Sequence, residues 1–379
     1  MEFVFTEEQE LLKESAKSFL TEHSNSLKIR EAMNSSLVYD QEVWKKISRD
    51  MGWLALLIPE EYEGLGLSWV DLSALLEEMG YFLLCSPFHS TICLGVTCLM
   101  NAGNLEQKAH YLPEVAKGNL LLTLACLESG GDWSPEGISS SYIKRDNKYF
   151  ITGTKKYVPY GHAANKIIVA SRVKGSLGPR GITLFLIDSN TKNLDVSKLT
   201  TMDQTRPQSS IILDEVEVSE ESVIGEEEKG WEILDKVRSF GALGSSAEQV
   251  GGAQRTLDMT CEYVLEREQF GRKVGSFQSI KHRLADMMVL VESARSAIYY
   301  ASCIAESDTR EFEESVSISK SYCSEAFFKC AADAIQLHGG VGFTWEYDTH
   351  LFFKRAKSSE IYFGDPSFHK NKISNLLGI

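Results

Sequence analysis

The residues with the clearest chemical reach lie in two short stretches of the last third of the chain. Arg267-Glu268-Gln269-Phe270-Gly271-Arg272 is followed closely by Gly275-Ser276-Phe277-Gln278. The second stretch is Gln336-Leu337-His338-Gly339-Gly340-Val341-Gly342-Phe343. A guanidinium such as Arg267 can pair with a phosphate through two parallel hydrogen bonds. Gln269, Gln278 and Gln336 offer hydrogen bonds without charge, and Phe270 offers an apolar wall. Gly339 and Gly340 carry no Cβ, so their backbone amides can approach a phosphate or an adenine closely. His338 is titratable and adjoins these glycines, where a structural or dinucleotide contact is expected of it. Alone, Arg267 reads as a surface arginine at a helix end; beside a glycine loop it reads as a ligand contact.

Elements of two periods must position these groups. Thr6-Glu7-Glu8-Gln9 has the pattern of a capping box, with Thr6 as N-cap. Leu12, Ala16, Phe19 and Leu20 then recur at helical spacing, and a further apolar helix is predicted from Trp69 to about Phe82. Pro59 to Gly66 is loop chemistry. Between Leu121 and Ile224 the period changes to that of strands, at Tyr149–Ile151, Lys166–Ala170, Ile182–Ile187 and Ile211–Val218. Beyond Gly230 long helices return. Ile280, Leu284, Met287, Val291, Ala294 and Ile298 form one bundle-type stripe, and Leu243, Ala247, Val250, Leu257, Cys261 and Val264 another. These stripes are read as core. The pattern predicts an N-terminal helical domain (1–120), a middle β-barrel-like domain (121–226) and a C-terminal helical-bundle domain (227–379).

Composition narrows the functional classes. With 39 Lys and Arg against 53 Asp and Glu, the formal net charge is −14, which disfavours nucleic acid as a partner. No apolar run approaches the roughly 18–20 residues that a membrane span needs. Met1–Phe5 lacks the basic and apolar regions of a signal peptide, so a cytoplasmic protein is expected. None of the eight cysteines forms a Cys-x-x-Cys pair. Buried free thiols are expected rather than a metal site or a disulfide framework.

The two glycine-bearing stretches resemble the R-x-x-F-G…Q and Q-x-x-G-G-x-G-[FY] signatures of the acyl-CoA dehydrogenase family. Fainter echoes lie at Pro59–Leu67, Leu213–Val218 and Gly225…Gly230-Trp231, so the likeness covers nearly the whole chain in order. The resemblance implies an α+β fold of helical, β and four-helix-bundle domains. It also implies FAD as cofactor and α,β-dehydrogenation of an acyl-CoA thioester. Electrons would pass to an electron-transfer flavoprotein. In that family, residues matching Arg267, Gln269, Phe270, Gln278, Gln336, His338, Gly339 and Gly340 reach the ADP half of an FAD held mainly by a neighbouring subunit.

Elsewhere the sequence departs from the family pattern. The family's base is a Glu in Y-E-G-T or a Glu early in the first long C-terminal helix; these positions hold Phe363 and Gly241, and neither side chain takes a proton. Two nearby acids could substitute. Glu248 lies seven residues beyond Gly241, about 10.5 Å along a helix. Asp365 precedes Pro366 in a context that also suits an ordinary N-cap. The family's E-P-G-A-G-S-D loop reads Glu128 to Ser134, and its W-I-T-N-G stretch reads Tyr157-Val158-Pro159-Tyr160-Gly161. Pro159 offers the flavin ring neither a hydroxyl nor an N–H. The chain thus resembles the base-lacking subunit of heterotetrameric acyl-CoA dehydrogenases that act on steroid side-chain thioesters. In these, a second acyl-CoA dehydrogenase-like subunit supplies base and ring cradle, and the vacated pocket admits a bulky acyl group. The alternative is a homotetramer using Glu248 or Asp365 on an unusual acyl-CoA. A second alternative is a non-oxidising relative or a scaffold subunit.

Overall fold

The computed structural model describes residues 6–307 and 310–379; Met1–Phe5 lies outside the described residues. The first helices are α1 (Glu7–His23), α2 (Ser26–Asn34), α3 (Gln41–Arg49) and α4 (Trp69–Tyr81). Thr6 caps α1 in the reciprocal box expected, accepting from the Gln9 amide while Gln9 returns a bond to the Thr6 amide. A buried π-helical segment, Ser90–Val96, leads into α5 (Thr97–Ala102) and α6 (Leu105–Ala116).

Strands follow: β1 (Leu122–Ala125), β2 (Ser141–Arg145), β3 (Lys148–Pro159), β4 (Lys166–Val173), β5 (Ile182–Asp188), β6 (Leu194–Lys198), β7 (Gln208–Ser219) and β8 (Val223–Ile224). They form one eight-stranded sheet in the order β6-β7-β3-β2-β4-β5-β8, with β1 parallel to β4. The long β3–β7 pairing is antiparallel and shifts register twice, between Ile151 and Gly153 and between Lys155 and Val158. Its core is aromatic: Tyr142, Tyr149 and Phe185 meet with ring centroids 5.1–5.5 Å apart.

Helix returns with α7 (Gly230–Glu266), a two-residue hairpin β9 (Glu268–Gln269) and β10 (Arg272–Lys273), α8 (Gln278–Cys303), α9 (Arg310–His338), α10 (Thr349–Ile361) and α11 (Pro366–Leu377). On α8 the predicted stripe is the buried one at Met287, Val291, Ala294 and Ile298. The chain divides into two compact units. One contains residues up to Glu31, Trp69–Cys85 and Ala242–Ile379; the other contains Ala32–Ser68 and Ser86–Gly241, with the whole eight-stranded sheet. Among the described residues, no helix is long and apolar enough to cross a membrane. Cys85, Cys93, Cys98, Cys323 and Cys330 are buried free thiols, while the other three cysteines are partly exposed.

Candidate functional site

In the helical unit, the first motif is the hairpin that follows α7. Arg267 donates its amide to Tyr263 O and its carbonyl accepts from Val274 N at 2.8 Å, which closes the hairpin. Phe270 stands at the tip with φ of +53° and is 91% exposed. The Arg272 guanidinium lies 3.9 Å above the Phe277 ring, fixing the entry to α8. Arg267, Gln269 and Gln278 are all exposed.

The second motif is a 3₁₀ turn, Gly339–Phe343, at the end of α9. Gly339 adopts φ of +65°, and a Cβ added at Gly339, Gly340 or Gly271 would meet no atom within 4 Å. These backbones are therefore open to an incoming ligand. Gln336 is exposed, whereas His338 is buried. The His338 ring stacks on Tyr263 at 4.3 Å and its Nδ1 lies 2.7 Å from Ala334 O. Burial pushes its pKa down. His338 thus packs under the glycine turn, and Tyr263, four residues before Arg267, ties the two motifs together through that stack and a 3.3 Å bond to His338 O. Arg30 on α2 also braces this region, donating to Trp345 O at 2.6 Å and pairing with Asp348 at 2.8 Å. Neither Tyr263 nor Arg30 belongs to a sequence signature; only folding brings them here.

The two acids considered as bases lie on different helices. Asp365 is exposed and caps α11, accepting from Phe368 N at 2.7 Å, with Pro366 opening the helix. The N-cap role anticipated from the Asp365-Pro366 pair is therefore present. Replacing Asp365 with alanine should cost about 1 kcal/mol in thermal unfolding, while asparagine, an equally good cap, should cost little; equal losses in both would contradict the cap. Glu248 is half-buried where α7 crosses α4, and a Cβ at Gly80 would fall 2.0 Å from its carbonyl oxygen.

At the position where the resemblance expects a Glu, Phe363 is buried (2% exposed) in a left-handed conformation, φ +66°. Its carbonyl lies 3.1 Å from His369 Nε2. The turn is held from below by Lys320, whose wholly buried side-chain nitrogen lies 2.8 Å from Ser324 Oγ, 2.9 Å from Ser359 O, 3.1 Å from Glu360 O and 3.4 Å from Gly364 O. Burial pushes its pKa down to about 7.

In the sheet-bearing unit, the Glu128–Ser134 loop is anchored by an ion pair of 2.8 Å between Glu128 and the fully buried Lys155. Burial opposes ionisation of Glu128, but Lys155, Ser139 and the Ser140 amide outweigh it and hold the carboxyl at about 2. Further along the loop, Trp133 is buried against Arg238, which donates to its carbonyl and stacks between Trp133 and Trp231 at 5.9 and 5.5 Å. At Pro159 the carbonyl accepts from Thr123 Oγ1 at 2.6 Å. Tyr160 (φ +51°) turns its ring inward onto Tyr39, and its hydroxyl reaches Val38 O at 3.2 Å.

Fold and surface together define a helical, sheet, helical chain with open glycine backbone and an exposed arginine in its C-terminal part. Residues 6–119 match the acyl-CoA dehydrogenase N-terminal domain and residues 228–377 the acyl-CoA dehydrogenase C-terminal domain. Acyl-CoA dehydrogenase IpdE2 of Mycolicibacterium smegmatis is 32% identical over 95% of this chain and 96% of its own length. Among solved structures, butyryl-CoA dehydrogenase from Megasphaera elsdenii superposes with a TM-score of 0.92 at 25% identity, covering 100% of both chains. A chain of the ChsE4-ChsE5 complex from Mycobacterium tuberculosis gives 0.90 at 25% identity, over 100% of this chain and 99% of that one. The chain belongs to the acyl-CoA dehydrogenase family, CH–CH oxidoreductases with a flavin acceptor, and FAD is the cofactor. The residues present fit the two halves of that cofactor unequally. Open glycines and exposed polar groups suit an ADP moiety, whereas Pro159 without a donor and the inward Tyr160 do not fit a flavin ring.

Proposed function

We propose that this chain is the base-lacking subunit of a heteromeric acyl-CoA dehydrogenase. It lends Arg267, Gln269, Phe270, Gln278, Gln336, Gly339 and Gly340 to the ADP half of an FAD, with His338 supporting the turn from within. The partner subunit supplies ring cradle and base for α,β-dehydrogenation of a bulky acyl-CoA. The observation that carries this reading is the contrast between the open Gly339–Gly340 backbone and the blocked strand end at Pro159 and Tyr160. It is supported by likeness to one chain of a complex named for two different subunits and by the capping role of Asp365. FAD supplies the hydride acceptor when bound; this chain's residues hold and orient its diphosphate end.

Flavin stoichiometry tests the reading. Expressed alone, the chain should purify with little FAD. Co-expressed with a second acyl-CoA dehydrogenase-like subunit from the same genome, it should yield one FAD for every two chains. Full occupancy in the lone chain sinks the shared site. In the assembled complex, Arg267→Ala should weaken FAD retention by about 10- to 100-fold, the loss of one charge-assisted phosphate contact of about 1.5–3 kcal/mol. Unchanged retention would remove Arg267 from the site.

A further inference from the structure

A groove in the helical unit is lined by none of the residues placed in the candidate site. It lies where α1, α4, α7 and α8 meet, and its volume is about 230 Å³. That is below the roughly 300–1,000 Å³ of a site for a drug-sized ligand. A nucleotide or a coenzyme thioester is therefore too large for it, and a molecule of few heavy atoms fits. Most of the lining charge is already engaged. Glu77 pairs with Arg295 at 3.1 Å and with Lys13 at 3.4 Å. Asp258 accepts from the Tyr81 hydroxyl at 2.9 Å and from Gln254 Nε2 at 2.8 Å. Two groups of opposite sign are left over. Glu78 is largely buried, yet its carboxylate meets Lys13 only at 3.9 Å, longer than a hydrogen bond. Burial, reinforced by Glu77, raises its pKa to about 7 against the pull of Lys13, Lys17 and Arg295. Lys17 stands exposed one turn beyond Lys13 on the same face of α1, and makes no ion pair among the described residues.

A buried carboxylate without a close partner favours a cation, because an opposite charge brought against it offsets its desolvation. An unpaired ammonium does the same for an anion. We propose that this groove binds a small zwitterion of the size of a short amino acid, with Glu78 holding its ammonium and Lys17 its carboxylate. A ligand with one charge satisfies one of the two groups and leaves the other as it was. The Glu77–Arg295 and Asp258–Tyr81 pairs form walls that the ligand does not disturb. Occupancy ties α1 to α4, so it stabilises the helical unit by mass action.

Isothermal titration calorimetry on the full chain, alone and in the co-expressed assembly, tests this. The ligands are glycine, β-alanine and γ-aminobutyrate, with acetate and methylammonium as single-charge controls. At least one zwitterion should bind about 10-fold or more tightly than either control, the effect of one further charge-assisted contact. Equal binding of a control, or no binding of any zwitterion, overturns the proposal. Affinity should rise about 10-fold from pH 6 to pH 8, since Glu78 holds an ammonium only when ionised and about a tenth of it is ionised at pH 6. No histidine lines the groove to share that dependence. Glu78→Gln, of the same shape, should weaken binding about 10-fold at pH 8 and flatten the pH profile. Lys17→Met should weaken it about 10-fold and leave the profile in place. Both replacements are good helix formers, so the variants should fold. Wild-type affinity in either folded variant overturns the proposal. So does affinity that rises toward pH 6, which would mark an anion seat against a protonated Glu78. No flavin enters the measurement, so its outcome is separate from that of the FAD stoichiometry.

Discussion

Replacing Gly251 with alanine is expected to destabilise the helical unit by about 2–3 kcal/mol, the cost of forcing two packed backbones apart. At this point α7 lies against α4 with no room for a side chain: a Cβ at Gly251 would fall 1.8 Å from Glu77 O and 2.6 Å from Tyr81 N. The reciprocal glycine on α4 is Gly80, whose Cβ would sit 2.0 Å from Glu248 O. The obstructing atoms are backbone, so no rotamer change relieves the clash. Alanine does gain about 1 kcal/mol of helix propensity over glycine, but the steric cost exceeds it. The crossing also carries charge, because Glu77 pairs there with Arg295 at 3.1 Å and Lys13 at 3.4 Å. Moving α4 outward would stretch both pairs. Thermal melting of Gly251→Ala and Gly80→Ala decides the matter. A melting temperature at or above wild type in either variant would show that the crossing is looser than the backbone distances state. The double variant should lose less than the sum, since one displacement relieves both contacts.

The second large effect is a pH dependence centred on Lys320. Its folded pKa, pushed down to about 7 by burial, lies below the ordinary value of 10.5. The neutral amine is thus the form that folding favours, and the group's contribution is complete above the unfolded pKa and is lost as pH falls through the folded one. Between pH 6.5 and pH 9.5 it should add about 3 kcal/mol of stability. Cys323, Glu360 and Asp365 all act to raise the pKa, but burial outweighs them. Lys320→Met removes the titration and strands Ser359 O, Glu360 O and Gly364 O, at about 1–3 kcal/mol for each carbonyl left without a donor. The stability gap between wild type and Lys320→Met should therefore widen steadily from pH 6.5 to pH 9.5 in denaturant titrations. A constant gap would mean that the amine keeps its charge in the fold, with the four acceptors compensating its desolvation.

How far the sequence foretold this arrangement depends on the range of the interaction. Local signals were reliable: the Thr6–Gln9 box, the Asp365-Pro366 cap and the α8 stripe are set by neighbours within a few residues. The strands at Tyr149, Lys166, Ile182 and Ile211 announced themselves by β-branched and aromatic runs. Strands β2 and β6, at Ser141–Arg145 and Leu194–Lys198, did not, because their polar side chains gain strand geometry only from the partners they pair with. Within the candidate site, the hairpin and glycine turn were legible as motifs. Burial of His338 under Tyr263 was not, since the stack joins residues 75 positions apart. The same holds for Arg30 beside Asp348. Lys320 was silent in the sequence as well. A lysine in a helix reads as solvated until its carbonyl partners are seen to arrive from another helix and a turn.

Phe270 gives the chain a further property, one that concerns its life before assembly. A ring 91% exposed at a hairpin tip forgoes about 2 kcal/mol of burial. Phe343 and Trp345, at the glycine turn, are also mostly exposed. A newly made copy therefore offers exposed aromatic rings of the kind that drive self-association at high concentration. Its cellular level should follow the supply of whatever covers these rings, and overproduction by itself should end in inclusion bodies rather than in surplus soluble protein. Under the proposed heteromeric assembly, the level of this chain is expected to follow that of its partner subunit through these three exposed rings.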